Sequence, residues 1–339
     1  MKLTVGLIGC GRLGRIYARD LSSRIAETRL AAIADSNPDV ARDAAAEFGT
    51  RAVADAGDLF HDPSIDAVVI VSPTHTHKDL VIAAAAARKP AFCEKPLALS
   101  LEDCEQMQSA VERGGSFFQM GFMRRFDPGY VAAKRHLDEG RIGRAVVFKS
   151  TSRDPYPPSL EYANPASSGG MLVDMGIHDF DLARWFMGDV ASISAVGGVL
   201  AYPELASVGD IDNAIATLTF VDGRLGVIDL TRNGVYGYDI STELLGTEGT
   251  VRIGYLRETP VLTMTRNSVS HDTVPYFMQR FERAYTAQLQ NFASNVLQQR
   301  DPPVTIDDGV QALRVALAAT EAQRTGERVD VRSAGSHRH

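Results

Sequence analysis

A glycine-rich turn near the amino terminus has the residue types and spacing that bind a dinucleotide. It reads Gly9-Cys10-Gly11-Arg12-Leu13-Gly14, directly after the apolar run Leu3–Ile8 and at the start of a helical stretch. In that context the three glycines allow a tight turn, close approach of the backbone to a pyrophosphate, and close packing of helix on strand. The helix N-terminus adds N–H groups and a partial positive charge. The sequence therefore predicts that this turn, Arg12 and Leu13 included, holds the phosphates of a nucleotide.

An acidic residue completes this signal. Asp35 lies 21 residues after Gly14, at the end of a second apolar run over residues 30–34. A carboxylate there can accept hydrogen bonds from the adenosine ribose hydroxyls. It would repel a 2′-phosphate, so the sequence favours NAD over NADP. The alternatives are that Arg12 meets a 2′-phosphate, or that a glycine-rich turn is followed by an incidental aspartate.

Two more polar clusters follow predicted strands. Ser72-Pro73-Thr74-His75-Thr76-His77 comes after the run 67–71, and Glu94-Lys95-Pro96 comes after 91–93. Ligands of open α/β sheets collect at the carboxyl ends of parallel strands. The cofactor-binding residues predicted here are Ser72, Pro73, Thr74, His77, Glu94 and Lys95. The alternative interpretation is loop solvation with a proline that stops the strand.

An aspartate and a histidine four residues apart could carry acid and base chemistry. Asp174 and His178 lie within residues 171–187, which are predicted to form one helix, and on a helix this spacing places both on one face. A carboxylate beside an imidazole raises its basicity and fixes its orientation. With NAD nearby, His178 would remove a hydroxyl proton while hydride leaves for the nicotinamide. Lys95 would place a positive charge on the reacting oxygen.

Each of these residues also has a structural interpretation. His178 could be a core or capping histidine, and Asp174 could be an acid at a helix N-terminus. His75, His77 and His178 could be imagined as metal ligands, but no compact set of thiols or carboxylates joins them. No metal site is therefore predicted.

The elements that must position these residues change character along the chain. Over the first 120 residues short apolar runs alternate with helical stretches, which predicts a parallel sheet with helices on both faces. From residue 145 strands follow one another with few helices, which indicates an antiparallel or mixed sheet and a second domain. Helical regions over 276–299 and 309–324 close the chain. We expect domains over residues 1–122 and 123–332, followed by a flexible tail, 333–339.

Composition excludes several classes of protein. The chain has 339 residues, 45% hydrophobic and 23% charged, with 29 Gly and 15 Pro, so disordered, collagen-like and coiled-coil proteins are ruled out. A net charge of −7 argues against a partner such as nucleic acid. Three cysteines are too few for a disulfide framework, and the longest apolar runs are far below the roughly 20 residues of a membrane span. A cytoplasmic protein is expected.

Taken together, these motifs resemble the Gfo/Idh/MocA oxidoreductases, and within them the inositol 2-dehydrogenases. The resemblance covers residues 3 to 331 and also includes the segment Gly121-Phe122-Met123-Arg124-Arg125-Phe126-Asp127. It implies a Rossmann domain followed by an α/β domain with a large, mostly antiparallel open sheet that supports homo-oligomers, commonly tetramers. It also implies that Lys95, Asp174 and His178 form a catalytic trio, and that the Lys95–Pro96 bond is cis.

The resemblance also implies the substrate side of the site. Residues matched to substrate binding, besides the trio, are Met123, Arg125, Asp154 and Tyr236, with Arg124 in the same segment. The match is looser over residues 155–168, where inositol and sugar dehydrogenases of the family differ. The expected reaction is oxidation of a ring hydroxyl of myo- or scyllo-inositol with NAD. The alternatives are the same chemistry on a pyranose or another sugar, or a sensor that binds a dinucleotide without catalysis.

Overall fold

The N-terminal part of the chain is built around a parallel sheet of six strands. The computed structural model describes residues 1–331, and the sheet order is β3-β2-β1-β4-β5-β6. The strands are β1 Leu3–Ile8, β2 Thr28–Ala34, β3 Arg51–Val53, β4 Ala67–Ile70, β5 Ala91–Glu94 and β6 Phe118–Gly121. Every residue of β1, β4 and β5 is buried, as expected for central strands covered on both faces. The predicted parallel sheet is confirmed.

Helices connect these strands and cover the sheet. They are α1 Arg12–Arg19, α2 Pro38–Phe48, α3 Ala56–His61, α4 His77–Ala86 and α5 Leu101–Gly114. The Asn37 side chain accepts the N–H of Asp39 at the start of α2, and Gly49 ends it in the left-handed conformation. The sequence patterns did not predict β3 or α3. The reason is that β3 is a three-residue edge strand with no buried residue, and α3 has only two buried residues.

A seven-stranded sheet forms the second part, in the order β12-β11-β7-β10-β9-β8-β15. Its strands are β7 Ala145–Arg153, β8 Val190–Gly198, β9 Asn213–Phe220, β10 Leu225–Thr231, β11 Asp239–Gly246, β12 Thr250–Ile253 and β15 Val329–Asp330. All pairs are antiparallel except β7 with β10. Alternate residues of β9 are buried, which is the pattern of a sheet covered on one face. The predicted mostly antiparallel sheet is confirmed. A separate hairpin joins β13 Thr263–Met264 to β14 Val269–Ser270.

The helices of this second part differ from the prediction. They are α6 Pro128–Asp138, α7 Leu160–Ala163, α8 Pro165–Ser168, α9 Met171–Asp174 and α10 Ile177–Met187. Residues 171–187 are thus two helices rather than one. The N–H of Gly176 bonds to Met171 O at 3.1 Å, five residues back, so the regular ladder is interrupted there. A Cβ at Gly176 would lie 2.6 Å from Leu172 O, so the glycine permits the close approach.

Two long helices close the chain and belong to both parts. They are α11 Phe277–Gln298 and α12 Ile306–Thr325. One compact unit contains Met1–Phe126 and Arg283–Leu313, and the other contains Asp127–Glu282 and the described residues from Arg314 on. The expected domain boundary between residues 122 and 123 stays a prediction. No helix of residues 1–331 is long and apolar enough to cross a membrane. The expected tail, residues 333–339, lies outside the described residues.

The returning segment completes the first unit for a physical reason. The ring of Phe292 packs against that of Phe92 on β5, with centroids 5.9 Å apart. The N–H of Met120 on β6 bonds to Val304 O at 3.0 Å. The returning segment therefore covers apolar surface of the parallel sheet and bonds to its edge strand.

Candidate active site

The glycine turn after β1 fits a pyrophosphate. Gly9 has a φ of +91°, and a Cβ there would lie 2.7 Å from Ser72 N. A Cβ at Gly14 would lie 2.3 Å from Gly9 O, whereas one at Gly11 would meet nothing within 4 Å. No side chain caps the N-terminus of α1, where Gly11 is the cap residue. Close packing therefore requires Gly9 and Gly14, and the space at Gly11 lies where the helix N-terminus favours an anion.

Asp35 is fixed to this turn by hydrogen bonds. Its Oδ2 accepts the N–H of Cys10 at 2.7 Å, and its Oδ1 accepts the N–H of Asn37 at 2.9 Å. Each carboxylate oxygen has further lone pairs that a ribose hydroxyl could use. Burial raises the pKa of the neighbouring Cys10 thiol to about 11, so this cysteine stays protonated at neutral pH. The geometry of Asp35 therefore fits the ribose role that the sequence predicts.

His77 joins the two loops that follow β4 and β5. Its Nε2 lies 2.9 Å from Ser72 O and its Nδ1 lies 3.0 Å from Pro96 O. The side chain is buried, and burial lowers its pKa. His77 therefore lies between the two loops, where one ring nitrogen of the neutral imidazole donates to a backbone carbonyl and the other faces the second carbonyl. Ser72 and Thr74 are half-buried beside it, and Pro73 is exposed.

Glu94 lies beneath Lys95 in a buried network. The Tyr17 hydroxyl donates to Glu94 Oε1, and Gln288 Nε2 donates to the same oxygen at 3.2 Å and to Tyr17 Oη at 2.6 Å. Glu94 Oε2 accepts the N–H of Lys95 at 3.0 Å. Burial raises the pKa of Glu94, and these donors oppose the rise. Glu94 is therefore positioned to hold the Lys95 backbone, and the Lys95–Pro96 bond is cis, as the resemblance implied.

The segment after β6 carries two of the predicted substrate residues. Met123–Phe126 forms a short 3₁₀ turn in which Met123, Arg124 and Arg125 are buried. Arg125 Nη2 lies 2.9 Å from Asp308 Oδ1. Burial alone would raise the pKa of Asp308, but the Arg125 guanidinium and hydrogen bonds from Thr305 hold it below its usual value. Arg125 is thus a buried cation fixed by an ion pair.

The second unit holds Asp174 and His178. Asp174 is the last residue of α9, and His178 is the second residue of α10 and is 7% exposed. The prediction of one continuous helix over this segment is wrong, because the ladder is interrupted between Asp174 and His178. The Tyr162 hydroxyl donates to Asp174 Oδ1 at 2.8 Å. Arg232 Nη2 lies 3.7 Å from Asp174 Oδ2.

Asp154 and Tyr236 lie on two connected segments of the second unit. The N–H of Gly234 bonds to Asp154 O at 2.8 Å, which ties the loop before Tyr236 to the end of β7. Tyr236 Oη donates to Asp239 Oδ2 at 2.9 Å and accepts from Arg153 Nη1 at 3.1 Å. Burial and the Asp239 carboxylate raise the pKa of Tyr236. Tyr236 is therefore a protonated hydroxyl held between the Asp239 carboxylate and the Arg153 guanidinium.

Sequence reasoning missed Tyr162, Arg232 and Asp210. Arg232 directly follows β10, whose alternate residues are buried, and a buried charged side chain is unusual. Tyr162 lies in the loop 155–168, whose role the motifs left open. Among residues 1–331, no group of three or more His, Cys, Asp or Glu side chains is arranged to hold a metal ion.

Comparison with known proteins adds the family. Residues 3–122 match the NAD-binding Rossmann fold of the Gfo/Idh/MocA oxidoreductase family, and residues 134–331 match its C-terminal alpha/beta domain. The scyllo-inositol 2-dehydrogenase (NAD(+)) of Bacillus subtilis is 39% identical over 94% of each chain. The myo-inositol 2-dehydrogenase of Thermotoga maritima is 40% identical over 94% of this chain and 96% of that one.

A solved structure extends the similarity to the whole fold. The scyllo-inositol dehydrogenase of Lactobacillus casei, with bound NAD(H) and scyllo-inositol, superposes with a TM-score of 0.93 at 34% identity. The match covers 98% of this chain and all of that one. With both family domains matched in order, the chain belongs to the Gfo/Idh/MocA family of oxidoreductases.

Proposed function

We propose that this chain is an NAD-dependent dehydrogenase that oxidises one ring hydroxyl of a cyclitol, myo- or scyllo-inositol, to the ketone. The observation that carries this proposal is similarity to inositol dehydrogenases over nearly the full length of both chains. The coenzyme follows from the Asp35 carboxylate, which is anchored beside the glycine turn and would repel a 2′-phosphate. Bound NAD would supply the carbon that accepts the hydride.

The cofactor residues divide by what they would do. Gly9, Gly11 and Gly14, with Arg12 and Leu13, would bring backbone and helix N-terminus to the pyrophosphate, and Asp35 would hold the ribose. Ser72, Pro73 and Thr74 border the cofactor in this proposal. His77 and Glu94 support it from beneath, because their polar atoms already bond to the loop backbone and to buried side chains. The first unit is accordingly the NAD-binding part.

Three residues would perform the chemistry. His178 removes the hydroxyl proton as the C–H hydride leaves, and Lys95 stabilises negative charge on that oxygen. Asp174 orients the substrate hydroxyl and the imidazole by its charge. Met123, Arg125, Asp154 and Tyr236 would hold the remaining hydroxyls. Polar groups of this kind discriminate strongly between stereoisomers, because a wrong isomer leaves them without a partner.

We also propose that the chain forms a homo-oligomer, most simply a tetramer, through the open face of the seven-stranded sheet. Val196 on β8 pairs with Ile215 on β9, and both side chains are exposed. Leu225 on β10 pairs with Thr219, which lies four residues after Ile215 on the same face of β9. Apolar residues on one sheet face favour burial against another copy. The second unit is thus the substrate and oligomerisation part.

A cytoplasmic location is part of the same proposal and fits three buried free thiols.

Steady-state assays with the purified chain test the function. NADH formation is measured with scyllo-inositol, myo-inositol, glucose, galactose and xylose, each with NAD and with NADP. We expect an inositol with NAD to give the highest kcat/KM. If a sugar gives the highest kcat/KM, the chain is a sugar dehydrogenase rather than a cyclitol dehydrogenase. Tight NADH binding with no turnover on any polyol would indicate a sensor and contradict the proposal. Gel filtration with light scattering measures the oligomer.

A further inference from the structure

Arg232 is a buried arginine between two carboxylates of the second unit. Its side chain is 1% exposed, and Nη1 donates to Asp210 Oδ2 at 2.7 Å. The other terminal nitrogen, Nη2, lies 3.7 Å from Asp174 Oδ2. A buried guanidinium is costly without counter-charge, and its planar fork can address two acceptors at once. The arginine is therefore stabilised by a pair of carboxylates, of which one is the proposed catalytic Asp174.

Asp210 anchors this arrangement to the helix that ends in Asp174. Its Oδ1 accepts the N–H of Met171, the first residue of α9, at 2.9 Å. A Cβ at Gly170 would lie 3.1 Å from that same oxygen, and Gly170 has a φ of +78°. The Asp210 carboxylate thus caps α9 at one end with Oδ1 and bonds to Arg232 with Oδ2. Arg232 Nη2 faces the carboxylate at the other end of the same helix as an ion pair, at 3.7 Å and without a hydrogen bond.

We propose that Arg232 is a positioning residue that holds the Asp174 carboxylate in place for the reaction through their ion pair. The inference rests on the proposed function, in which Asp174 acts beside His178. The side chain of Asp210 is 3% exposed and that of Asp174 is 16% exposed. The cluster is therefore closed on the Asp210 side and accessible on the Asp174 side. Asp210 serves as the structural anchor, and Asp174 is the carboxylate available to a substrate.

The test compares two lysine substitutions. In Arg232→Lys the ammonium can keep the hydrogen bond to Asp210. It lacks the second terminal nitrogen of the guanidinium, which faces Asp174. We expect kcat to fall at least tenfold, with KM for NAD within about twofold of wild type. Arg280→Lys is the matched control, because Arg280 is buried in the same unit and donates to Asp127, which caps α6. It is expected to lower the melting temperature similarly and to leave kcat within about twofold.

Two further measurements keep the outcome decisive. Asp210→Asn keeps an acceptor for Met171 but removes the anchoring charge, so kcat is expected to fall in the same direction. A double-mutant cycle in urea with Arg232→Lys and Asp174→Asn measures the coupling without any substrate. An unchanged kcat in Arg232→Lys, or an additive cycle, overturns the inference. If wild type oxidises no polyol, the proposed function fails by itself, and the cycle alone then decides whether Arg232 supports Asp174.

Discussion

The carboxylate of Asp35 accepts a hydrogen bond from the backbone N–H of Cys10, inside the glycine turn, at 2.7 Å. The turn and the end of β2 are therefore tied by one side chain. This matters for experiments, because removing the Asp35 carboxylate also removes a bond that shapes the turn. Variants at this position must separate loss of charge from loss of the acceptor.

Coenzyme preference is the first prediction. Wild type is expected to prefer NAD over NADP, because the Asp35 carboxylate would repel a 2′-phosphate. Asp35→Asn keeps an acceptor for the Cys10 N–H, and Asp35→Ser removes it. Both variants are expected to lower the ratio of kcat/KM with NAD to kcat/KM with NADP by on the order of tenfold or more, which is about 1.4 kcal/mol. Equal or better use of NADP by wild type would remove Asp35 from the ribose role.

His178 is expected to act as the base. His178→Ala should lower kcat by on the order of 10²–10⁴ while NADH still binds, measured by nucleotide fluorescence. In wild type the rate should require a basic group in its unprotonated form. His61→Ala is a control, because His61 is exposed on α3 in the first unit. Near-normal turnover in His178→Ala would contradict the mechanism, and loss of NADH binding would indicate a structural histidine.

Two variants of Lys95 distinguish a catalytic role of this lysine from a structural one. Lys95→Met keeps much of the length and removes the charge, so kcat/KM should fall on the order of 10²-fold, about 2.7 kcal/mol, with little change in melting temperature. Lys95→Arg should rescue poorly, because a planar fork does not replace a compact ammonium at one oxygen. A structural lysine would show the reverse pattern. A fully active Lys95→Met would take the residue out of the site.

The buried Tyr17 hydroxyl is expected to stabilise the fold. Tyr17→Phe leaves the buried Glu94 carboxyl without one of its donors, which should lower the free energy of unfolding by about 1–3 kcal/mol. Tyr130→Phe is the matched control, because Tyr130 is also fully buried but its partner is the neutral Thr242 hydroxyl at 2.9 Å. Its loss should be about 0.5–1.5 kcal/mol. Equal losses in urea denaturation would show that the Glu94 carboxyl contributes no more as a partner than the Thr242 hydroxyl does.

The ion pair of Arg125 with Asp308 predicts a pH dependence of stability. The pKa of Asp308 is lowered in the folded state, so its contribution is present above the unfolded pKa of roughly 3.9 and is lost as pH falls through the folded value. Asp308→Asn should therefore be less stable than wild type at pH 7, by about 1–3 kcal/mol. The difference should shrink below about pH 4.

A neighbouring acid supplies the control for that measurement. Asp307 is exposed and accepts a hydrogen bond from Gln311 Nε2 at 3.1 Å. Asp307→Asn should change the free energy of unfolding by less than about 0.5 kcal/mol at either pH. If Asp308→Asn keeps the same deficit at pH 3 as at pH 7, the ion pair is not the source of the stability.

Most of the fold followed from local patterns. The runs that became β1 and β4 were predicted to within about one residue, because short apolar runs followed by turn residues and alternating with helical stretches are typical of a parallel sheet. The glycine turn and Asp35 were predicted together, because the pattern that relates them is a spacing along the chain.

What the sequence did not reveal depends on contacts far apart in the chain. A Cβ at Gly176 would lie 3.0 Å from Leu230 Cδ1 on the distant strand β10, a contact that no local pattern encodes. The bridge from Asp210 through Arg232 to Asp174 joins three segments separated by strands. Gln288 lies 194 residues from Glu94, yet it donates to the same buried oxygen as Tyr17. Such networks require the tertiary structure, because periodicity describes only one element at a time.

The return of residues 283–313 to the first unit has a consequence for how the protein is made. Met1–Phe126 emerges from the ribosome early. The segment that carries Phe292 and Val304 emerges only after all of residues 127–282 have been synthesised. At roughly 5–20 residues per second, the parallel sheet waits on the order of ten seconds or more for the helix that covers Phe92. During that interval its apolar surface is exposed to chaperones. We therefore expect nascent chains that are halted before residue 283 to aggregate or to remain bound to chaperones. Release of the chain from chaperones is expected to coincide with translation of α11 and α12.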